Sequence, residues 1–189
     1  GLQTGFGSGS TLDFIYRTQA RGRGPLGRMI DRNYLNAIGW RGIRIRGAHL
    51  GELLRATATR LRQAGQPVRV LDIAAGHGRY VLEALGSGAQ RADAIVLRDF
   101  SPLNVTQGAA LIQALGAGDI ARFEQGDAFD PVSVGAVDPA PTLAVVSGLY
   151  ELFADNDQVA RSLAGVAAAV PPGGYLLYTG QPWHPQLEF

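Results

Sequence analysis

Three aspartates follow three successive apolar segments, at a spacing that suits recognition of a nucleoside. Asp72 lies in VRVLDI (68–73), Asp99 ends AIVLRD (94–99), and Asp127 comes just after IARFEQ (120–125). Carboxylates accept hydrogen bonds from ribose hydroxyls and amino groups. Neighbouring parallel strands end at one edge of a sheet, so the pattern predicts that the three side chains gather around one crevice.

A turn of small residues, AAGHG (74–78), separates the first apolar segment from a predicted helix that starts near Gly78. Gly76 and Gly78 allow the backbone to pass close to a ligand, and the helix N-terminus offers free N–H groups. His77 is expected to border the same ligand. Taken alone, such a turn is equally compatible with a tight strand–helix connection that binds nothing.

The second acid lies 21 residues beyond Gly78, the interval at which a carboxylate at the tip of the adjacent strand accepts hydrogen bonds from ribose hydroxyls. We therefore predict that Asp99 binds ribose. In the alternative interpretation, Arg98 and Asp99 form a surface pair that caps the strand.

The third acid belongs to GDAFD (126–130) and is predicted to accept a hydrogen bond from an adenine amino group. Its neighbours Ala128 and Phe129 would offer a backbone N–H and an apolar face to the ring. The alternative is that Asp127 only satisfies the N–H groups of its own turn.

Candidate residues for the chemistry on a second substrate follow the fourth and fifth apolar segments. Ser147, Tyr150 and Glu151 follow the fourth, and His184 stands between two prolines after the fifth. His184 has the ordinary pKa of a general base, but an isolated histidine in such a turn is also compatible with a solvated or structural role. Tyr150 is also compatible with simple packing of its loop. The absence of cysteine and of any metal-spaced His/acid cluster predicts no metal site.

The elements that position these residues alternate between short strands and helices from residue 66 onward. We predict strands at 68–73, 94–99, 120–125, 142–147 and 174–179, and helices at 79–85, 102–115 and 156–170. The stretch 130–141 is expected to be a loop with one short turn. Near-continuous apolar strands alternating with helices predict an α/β fold, a doubly wound and mainly parallel sheet covered on both faces.

Residues 1–65 are predicted to form an N-terminal helical extension, and 66–189 the α/β domain. Within the extension we expect a loop over the first eleven residues and a short amphipathic stretch at 12–16. A helix is expected from about Pro25 to Gly39, and another over 50–65.

Charge divides the chain in two. Residues 1–62 hold 11 Arg against three acids, and the rest holds 6 Arg against 13 acids; the net charge is +1. The basic segment is expected to pack on the acidic body, although an anionic partner such as nucleic acid or a membrane surface remains an alternative. No apolar run reaches the roughly 20 residues of a membrane span, and no signal peptide opens the chain, so cytoplasmic location is the default expectation.

With these motifs the chain resembles the class I (Rossmann-like) S-adenosylmethionine-dependent methyltransferases. Their first motif reads D/E-x-G-x-G-x-G, and here DIAAGHG (72–78) has Ala74 in place of the first glycine. PPGGYLL (171–177) resembles the turn into their fifth strand. The resemblance covers about residues 66–180. It implies that Asp72 orients the methionine amino group, Gly76 lies under the cofactor, Asp99 binds ribose and Asp127 binds adenine.

The extension is expected to supply a lid, with Tyr16 and Arg17 over the cofactor and Arg17 paired with the methionine carboxylate unless it is an ordinary surface arginine. The expected cofactor-binding residues are Tyr16, Arg17, Asp72, Ala74, Gly76, His77, Gly78, Asp99, Phe100, Asp127, Ala128, Phe129 and Ser147. The expected catalytic residues are Tyr150, Glu151 and His184.

A closer likeness is to a group of bacterial methyltransferases often joined to an α/β-hydrolase domain. STLDFIYR (10–17), DRNYLNAIGWRGIR (31–44) and SGLYELF (147–153) carry it. It implies a fused or associated hydrolase as a partner. Class I domains usually end with two further strands, whereas only QPWHPQLEF (181–189) follows the fifth apolar segment here. We expect a truncated chain, because an exposed edge of an apolar strand invites association; the alternative is a sheet whose edge is left incomplete.

The resemblance implies direct transfer of a methyl group, with the protein aligning the reactants and excluding water. The expected acceptor is a small molecule or a lipid-like molecule. A nucleic-acid acceptor is not expected, because the N/D-P-P-Y/F motif of base methylases is missing. Two alternatives stay open: a non-catalytic module that binds S-adenosylmethionine, and a nicotinamide-dependent oxidoreductase. The dinucleotide-binding pattern G-x-G-x-x-G of such an oxidoreductase requires a third glycine at the position of Val81.

Overall fold

The computed structural model describes residues 9–20 and 22–180, and its centre is a parallel sheet of five strands. The strands are β1 (Arg69–Ile73), β2 (Ala94–Asp99), β3 (Ala121–Gln125), β4 (Leu143–Val146) and β5 (Tyr175–Tyr178). Their order in the sheet is β3-β2-β1-β4-β5 and every pair is parallel. The order reverses between β1 and β4, and such a switch point opens a crevice at the carboxyl ends of the strands.

Helices cover both faces of the sheet, which confirms the predicted doubly wound α/β fold. In β1, Val70 points to one face, whereas Leu71 and Ile73 point to the other, as the two-residue period of a strand requires. The first face packs against α3, α4 and α5, and the second against α6 and α7. These helices are α3 (Ile38–Gln63), α4 (Arg79–Leu85), α5 (Pro102–Ala114), α6 (Pro131–Gly135) and α7 (Asn156–Ala169).

The helices that follow the strands begin at the residues where we predicted them to begin. α5 begins at Pro102 in its first turn, and α7 is capped by Asp155, whose side chain accepts from the N–H of Asp157. The short turn predicted within 130–141 is α6, where the side chain of Asp130 accepts from the N–H groups of Val132 and Ser133.

The N-terminal helices differ from the prediction. α1 (Gly9–Arg17) and α2 (Gly24–Leu35) are followed by one 26-residue helix, α3. We predicted that Gly39 ends a helix, but Gly39 lies in the first turn of α3, and the break falls at Asn36 and Ala37. Glycine disfavours a helix interior by only about 1 kcal/mol, and burial of the α3 apolar face outweighs that cost.

α3 is part of the core of the sheet rather than an appendage. Leu50, Leu54, Ala58 and Leu61 recur at helical spacing, and each is at most 2% exposed against the first face of the sheet. Ion pairs also join this basic helix to the acidic body, at Arg46–Glu151 (2.9 Å) and Arg62–Asp93 (3.8 Å).

Across residues 9–20 and 22–180, no helix has both the length and the apolar character that crossing a bilayer requires. The first eight residues and residues 181–189 lie outside the described part of the chain, and with them the predicted catalytic residue His184 and most of the loop expected at 1–11.

Candidate functional site

The turn between β1 and α4 has a backbone that only small residues accept readily. Ala74, Gly76 and Gly78 have φ values of 58°, 61° and 71°, in the left-handed region. Ala74 is one of only two non-glycine residues with positive φ among those described, and it stands where the resembling family has glycine. A Cβ on Gly78 would lie 2.3 Å from the Cδ1 of Leu97, so this turn is pressed against β2.

Asp99 holds the turn in place from the tip of β2. Its Oδ2 accepts from the N–H of Gly76 (2.9 Å), and its Oδ1 accepts from the N–H of Ser101 (2.9 Å) and from the side-chain amide of Asn104 (3.0 Å). A carboxylate has about four acceptor positions, so one remains for a ligand hydroxyl. Arg98 points elsewhere, since its guanidinium is buried and donates to Ser133; the alternative Arg98–Asp99 surface pair is not formed.

Asp72 lies fully buried below the turn. Its Oδ1 accepts from the hydroxyl of Tyr80 (2.6 Å), whereas its Oδ2 has no hydrogen-bond partner. Burial raises the pKa of Asp72 to about 8, and the negative charge of Asp99 adds to this effect, while the Tyr80 hydrogen bond opposes it. A buried acceptor without a partner is costly, so this oxygen is suited to a cationic donor supplied by a ligand.

The turn residues, Tyr80 and Asp99 line a cavity of about 210 Å³, which we call the glycine-turn cavity, and Asp72 lies buried behind this lining. Its walls come from the turn, from β2 and α5, from α1 and α3, and from the loop after β4. The lining residues are Gly9, Leu12, Asp13, Tyr16, Arg46, Ala74, Ala75, Gly76, His77, Gly78, Arg79, Tyr80, Asp99, Asn104, Ser147, Gly148, Leu149 and Leu152.

α1 covers this cavity and is attached to the body by an ion pair. Asp13, only 8% exposed, pairs with Arg79 of α4 and, within α1, with Arg17 (2.8 Å), and its Oδ2 lies 3.9 Å from Nδ1 of His77. Burial lowers the pKa of His77, although Asp13 acts in the opposite direction, and its Nε2 is buried without a partner. Sequence analysis did not single out Asp13, Arg79 or Asn104. Asp13 and Arg79 are 66 positions apart, and no sequence pattern links residues at that separation.

Arg46 is the guanidinium of α3 that enters the cavity, and the sequence did not single it out either. A Cβ on Gly148 would lie 2.9 Å from its Nη2, so the guanidinium passes directly over the loop after β4. Arg46 pairs with Glu151 and lines the cavity beside Tyr16; burial raises the pKa of Tyr16, and the nearby charge of Arg46 acts in the opposite direction. The predicted residues Tyr16 and Glu151 are thereby brought together.

The residues predicted to contact adenine lie at the carboxyl end of β3 but outside the cavity lining. Asp127 is exposed, and its Oδ1 accepts from the N–H of Phe129 (2.9 Å), as the alternative turn role requires. Ala128 is buried, and Phe129 packs edge-on against Phe153 with ring centroids 4.7 Å apart. Phe100, predicted with them, is 72% exposed. The adenine role of this group stays a prediction.

Two further predicted residues lie away from the cavity. Arg17 is paired with Asp13 of its own helix and is absent from the lining, so its expected pairing with a ligand carboxylate finds no support in the structure. The hydroxyl of Tyr150 is 3.0 Å from that of Ser162 on α7, and the ring packs on the second face of the sheet. This is the packing role we gave as the alternative to catalysis.

Comparison with known proteins finds a family model, described as "Putative methyltransferase", that matches residues 1–189. The uncharacterized protein YnbC of Escherichia coli (strain K12) is 56% identical over 188 residues. The match covers 100% of this chain and 32% of YnbC, so the chain spans about a third of the length of this relative.

Two solved structures are similar in fold. A possible exported protein from Bordetella parapertussis has a TM-score of 0.67 at 17% identity, covering 90% of this chain and 53% of that one. A methyltransferase from Thiobacillus denitrificans, crystallised with S-adenosyl-L-homocysteine, has a TM-score of 0.51 at 26% identity, covering 70% of this chain and 46% of that one. The Rossmann-like fold predicted from the sequence is confirmed.

Because the turn packs tightly against β2, we expect two glycine substitutions to reduce the stability of the protein by different amounts. Gly78→Ala must accept both a left-handed alanine, about 1–2 kcal/mol, and overlap with buried Leu97, about 1–3 kcal/mol more. Gly65→Ala has the same backbone conformation (φ 69°) but open space around its Cβ. We expect thermal unfolding to show a melting temperature several degrees lower for Gly78→Ala than for Gly65→Ala, roughly 2–4 °C per kcal/mol. Equal losses would contradict the close packing of the turn on β2.

The raised pKa of Asp72 predicts a pH-dependent stability. The folded chain keeps this proton up to about pH 8, whereas the unfolded chain loses it near the ordinary value of 3.8. The folded state therefore binds more protons in this window, and the Asp72 contribution to the free energy of unfolding falls as pH rises from about 4 to 8.

Asp72→Asn removes that contribution while keeping an acceptor for Tyr80. We expect the variant to match the parent near pH 4 and to exceed its free energy of unfolding by several kcal/mol at pH 8.5, because each unit between pH 3.8 and about 8 corresponds to about 1.4 kcal/mol; urea denaturation at both pH values measures the difference. A constant difference between the two proteins across this range would refute the raised pKa.

Proposed function

The chain belongs to this methyltransferase family, and from that premise we propose that it binds S-adenosylmethionine in the glycine-turn cavity and transfers its methyl group to an acceptor. The observation that carries the proposal is the unpartnered Oδ2 of Asp72, a buried residue that lies behind the cavity lining and accepts a hydrogen bond from Tyr80, which is part of that lining. A free amino acid ammonium supplies the cationic donor that this oxygen lacks.

The other residues of the cavity fit the same cofactor. Asp99 keeps one acceptor position for a ribose hydroxyl, and the left-handed turn at Gly76 brings backbone close to whatever lies in the cavity. Ser147 adds a hydroxyl on the side of β4. S-adenosylmethionine supplies a methyl carbon that is already electrophilic, so the protein's task is to hold the reactants and exclude water.

We assign α1 the role of a lid over this cavity. The Cα of Gly9 lies 3.4 Å from the point where a Cβ on Gly76 would sit, and the cavity of about 210 Å³ is smaller than the roughly 300–1,000 Å³ typical of small-molecule sites. Entry of the cofactor therefore requires α1 to move away from the turn, and the Asp13–Arg79 ion pair opens and closes with this movement.

The acceptor is a small molecule or a lipid-like molecule, and the reaction takes place in the cytoplasm. An α/β-hydrolase domain, fused or associated, is the partner we propose. The resemblance in STLDFIYR (10–17) and SGLYELF (147–153) supports the last point, and a relative three times as long as this chain is compatible with it.

Calorimetric titration with S-adenosylmethionine tests the proposal and its proton linkage together. An ammonium beside Asp72 lowers the raised pKa of this carboxyl, so binding at pH 7 expels about one proton, and affinity rises by up to about tenfold per pH unit between pH 6 and 7. Titrations in buffers of different ionisation enthalpy count the protons released. Asp72→Asn is expected to bind more weakly and to release none. Tight binding of NADH instead of S-adenosylmethionine would overturn the proposal.

The predicted adenine contact of Asp127 is tested by two matched substitutions of exposed aspartates. Asp127→Asn removes the charged acceptor, and Asp157→Asn changes an exposed aspartate on α7. A hydrogen bond to a charged group contributes about 1.5–3 kcal/mol, so we expect Asp127→Asn to raise the dissociation constant for S-adenosylmethionine at least tenfold. Asp157→Asn should leave it unchanged. Identical constants for the two variants would leave Asp127 with its turn role alone.

A further inference from the structure

A second, larger cavity of about 520 Å³ lies between the N-terminal half of α3 and the end of β5, and we call it the α3–β5 groove. Its lining is mainly apolar. The residues are Ile38, Gly39, Gly42, Ile43, Ile45, Arg46, His49, Leu50, Leu53, Tyr178, Thr179 and Gly180. Ile45 and Leu53 are 55% and 51% exposed, so the groove is open to a ligand from outside. Its volume is in the range of small-molecule binding sites.

The groove and the glycine-turn cavity meet at a shared wall. Arg46 lines both of them. On the other side of the wall, the hydroxyl of Thr179 in the groove accepts from the N–H of Gly148 (2.9 Å) and lies 3.5 Å from the hydroxyl of Ser147, both of which line the cavity. A ligand in the groove is therefore separated from a ligand in the cavity by a single layer of residues.

The ion pair at this wall leaves one donor and one acceptor unused. Nη1 of Arg46 donates to Oε1 of Glu151 (2.9 Å), but the Nε of Arg46 and the Oε2 of Glu151 are buried without a partner. An N–H donor beside a carboxylate acceptor is the complement of a hydroxyl group, which accepts one hydrogen bond and donates another. A carboxylate ligand would repel Glu151, and an ammonium would repel Arg46.

From these observations we propose that the α3–β5 groove binds the methyl acceptor, an apolar molecule with a hydroxyl group that is inserted between Arg46 and Glu151 and is methylated on oxygen. The inference rests on the proposed S-adenosylmethionine-dependent activity and names its acceptor class. The apolar body occupies the groove along α3, and the hydroxyl lies at Arg46, which lines both cavities. Glu151 lines neither cavity, so the hydroxyl reaches it by replacing the direct Arg46–Glu151 contact.

The step balances as follows. Glu151 takes the hydroxyl proton while the acceptor oxygen forms a bond to the methyl carbon. The bond from that carbon to the sulfonium sulfur breaks, and its electron pair stays on sulfur as a neutral thioether. Arg46 stabilises the negative charge that develops on the acceptor oxygen. The products are a methyl ether, S-adenosylhomocysteine and a proton on Glu151, which is then released to solvent.

The groove is tested with 4-octylphenol, an apolar molecule with one terminal hydroxyl, by calorimetry in the absence of cofactor. Ile45→Asn places a polar group in the groove. Its matched control is Ile30→Asn, because Ile30 on α2 is 57% exposed and lines neither cavity. We expect Ile45→Asn to weaken 4-octylphenol binding at least tenfold and Ile30→Asn to leave it unchanged. No binding to the parent protein, or equal effects of the two substitutions, would overturn the groove assignment.

The chemistry is tested by transfer of a radiolabelled methyl group to 4-octylphenol, to 4-octylaniline and to phenol. We expect kcat/KM to be at least tenfold higher for 4-octylphenol than for either comparator. Glu151→Gln should lower kcat about a hundredfold with little change in KM. Glu124→Gln on β3 serves as the control and should match the parent. Preferred methylation of the aniline, or a Glu151→Gln enzyme with unchanged kcat, would refute the hydroxyl acceptor.

Failure of this proposal is distinguishable from failure of the proposed function. Calorimetry with S-adenosylmethionine reports on the glycine-turn cavity, and calorimetry with 4-octylphenol reports on the groove, each without turnover. Cofactor binding without 4-octylphenol binding rejects only the groove. Binding of 4-octylphenol without cofactor binding rejects the methyltransferase reaction and the acceptor role with it.

Discussion

The left-handed turn between β1 and α4 is the constraint on which the rest of the site depends. Gly78 must be left-handed and free of a Cβ because Leu97 of β2 occupies that space. The N–H of Gly76 then reaches the carboxylate of Asp99, and α4 starts with Tyr80 placed to donate to Asp72. One tight turn thus fixes two carboxylates at the tips of neighbouring strands. Ala74 shares the left-handed conformation at some cost in strain, which is tolerated because the surrounding hydrogen bonds leave the backbone no alternative.

Electrostatics then attach the basic N-terminal helices to this turn. Asp13 is an acid in an Arg-rich segment, yet it pairs with Arg79, a base of the acidic body, while Arg46 makes the reverse pairing with Glu151. The two crossed pairs place α1 over the glycine-turn cavity and α3 beside it. Intramolecular ion pairs therefore neutralise part of the charge asymmetry of the sequence, as expected of a basic segment that packs on an acidic body. The pairs are partly buried, so salt screens them less than it screens surface pairs.

Prediction from the sequence succeeded where local patterns determine structure. The five strands and the helices that begin at Arg79, Pro102 and Asn156 were predicted from apolar periodicity and from the residues that favour a helix start. The break placed at Gly39 was wrong because tertiary burial of α3 outweighs the weak preference against glycine in a helix. Asp13 and Arg46 escaped notice for a different reason: each acts through a partner more than 60 residues away, and a sequence carries no signal for such a pair.

The division of the proposed site into two cavities explains why the proposed cofactor residues were easier to predict from the sequence than the proposed acceptor residues. The proposed cofactor contacts come from strand tips and the turn after β1, whose positions the parallel sheet imposes. The groove instead combines one face of α3 with the last residues of β5, and its polar end is a single ion pair between α3 and the short 3-10 turn at Tyr150–Leu152. Tyr150 and Glu151 were predicted together, but neighbouring residues in such a turn point in different directions. One packs against Ser162 and the other meets Arg46, so only a three-dimensional arrangement separates the structural residue from the one at the site.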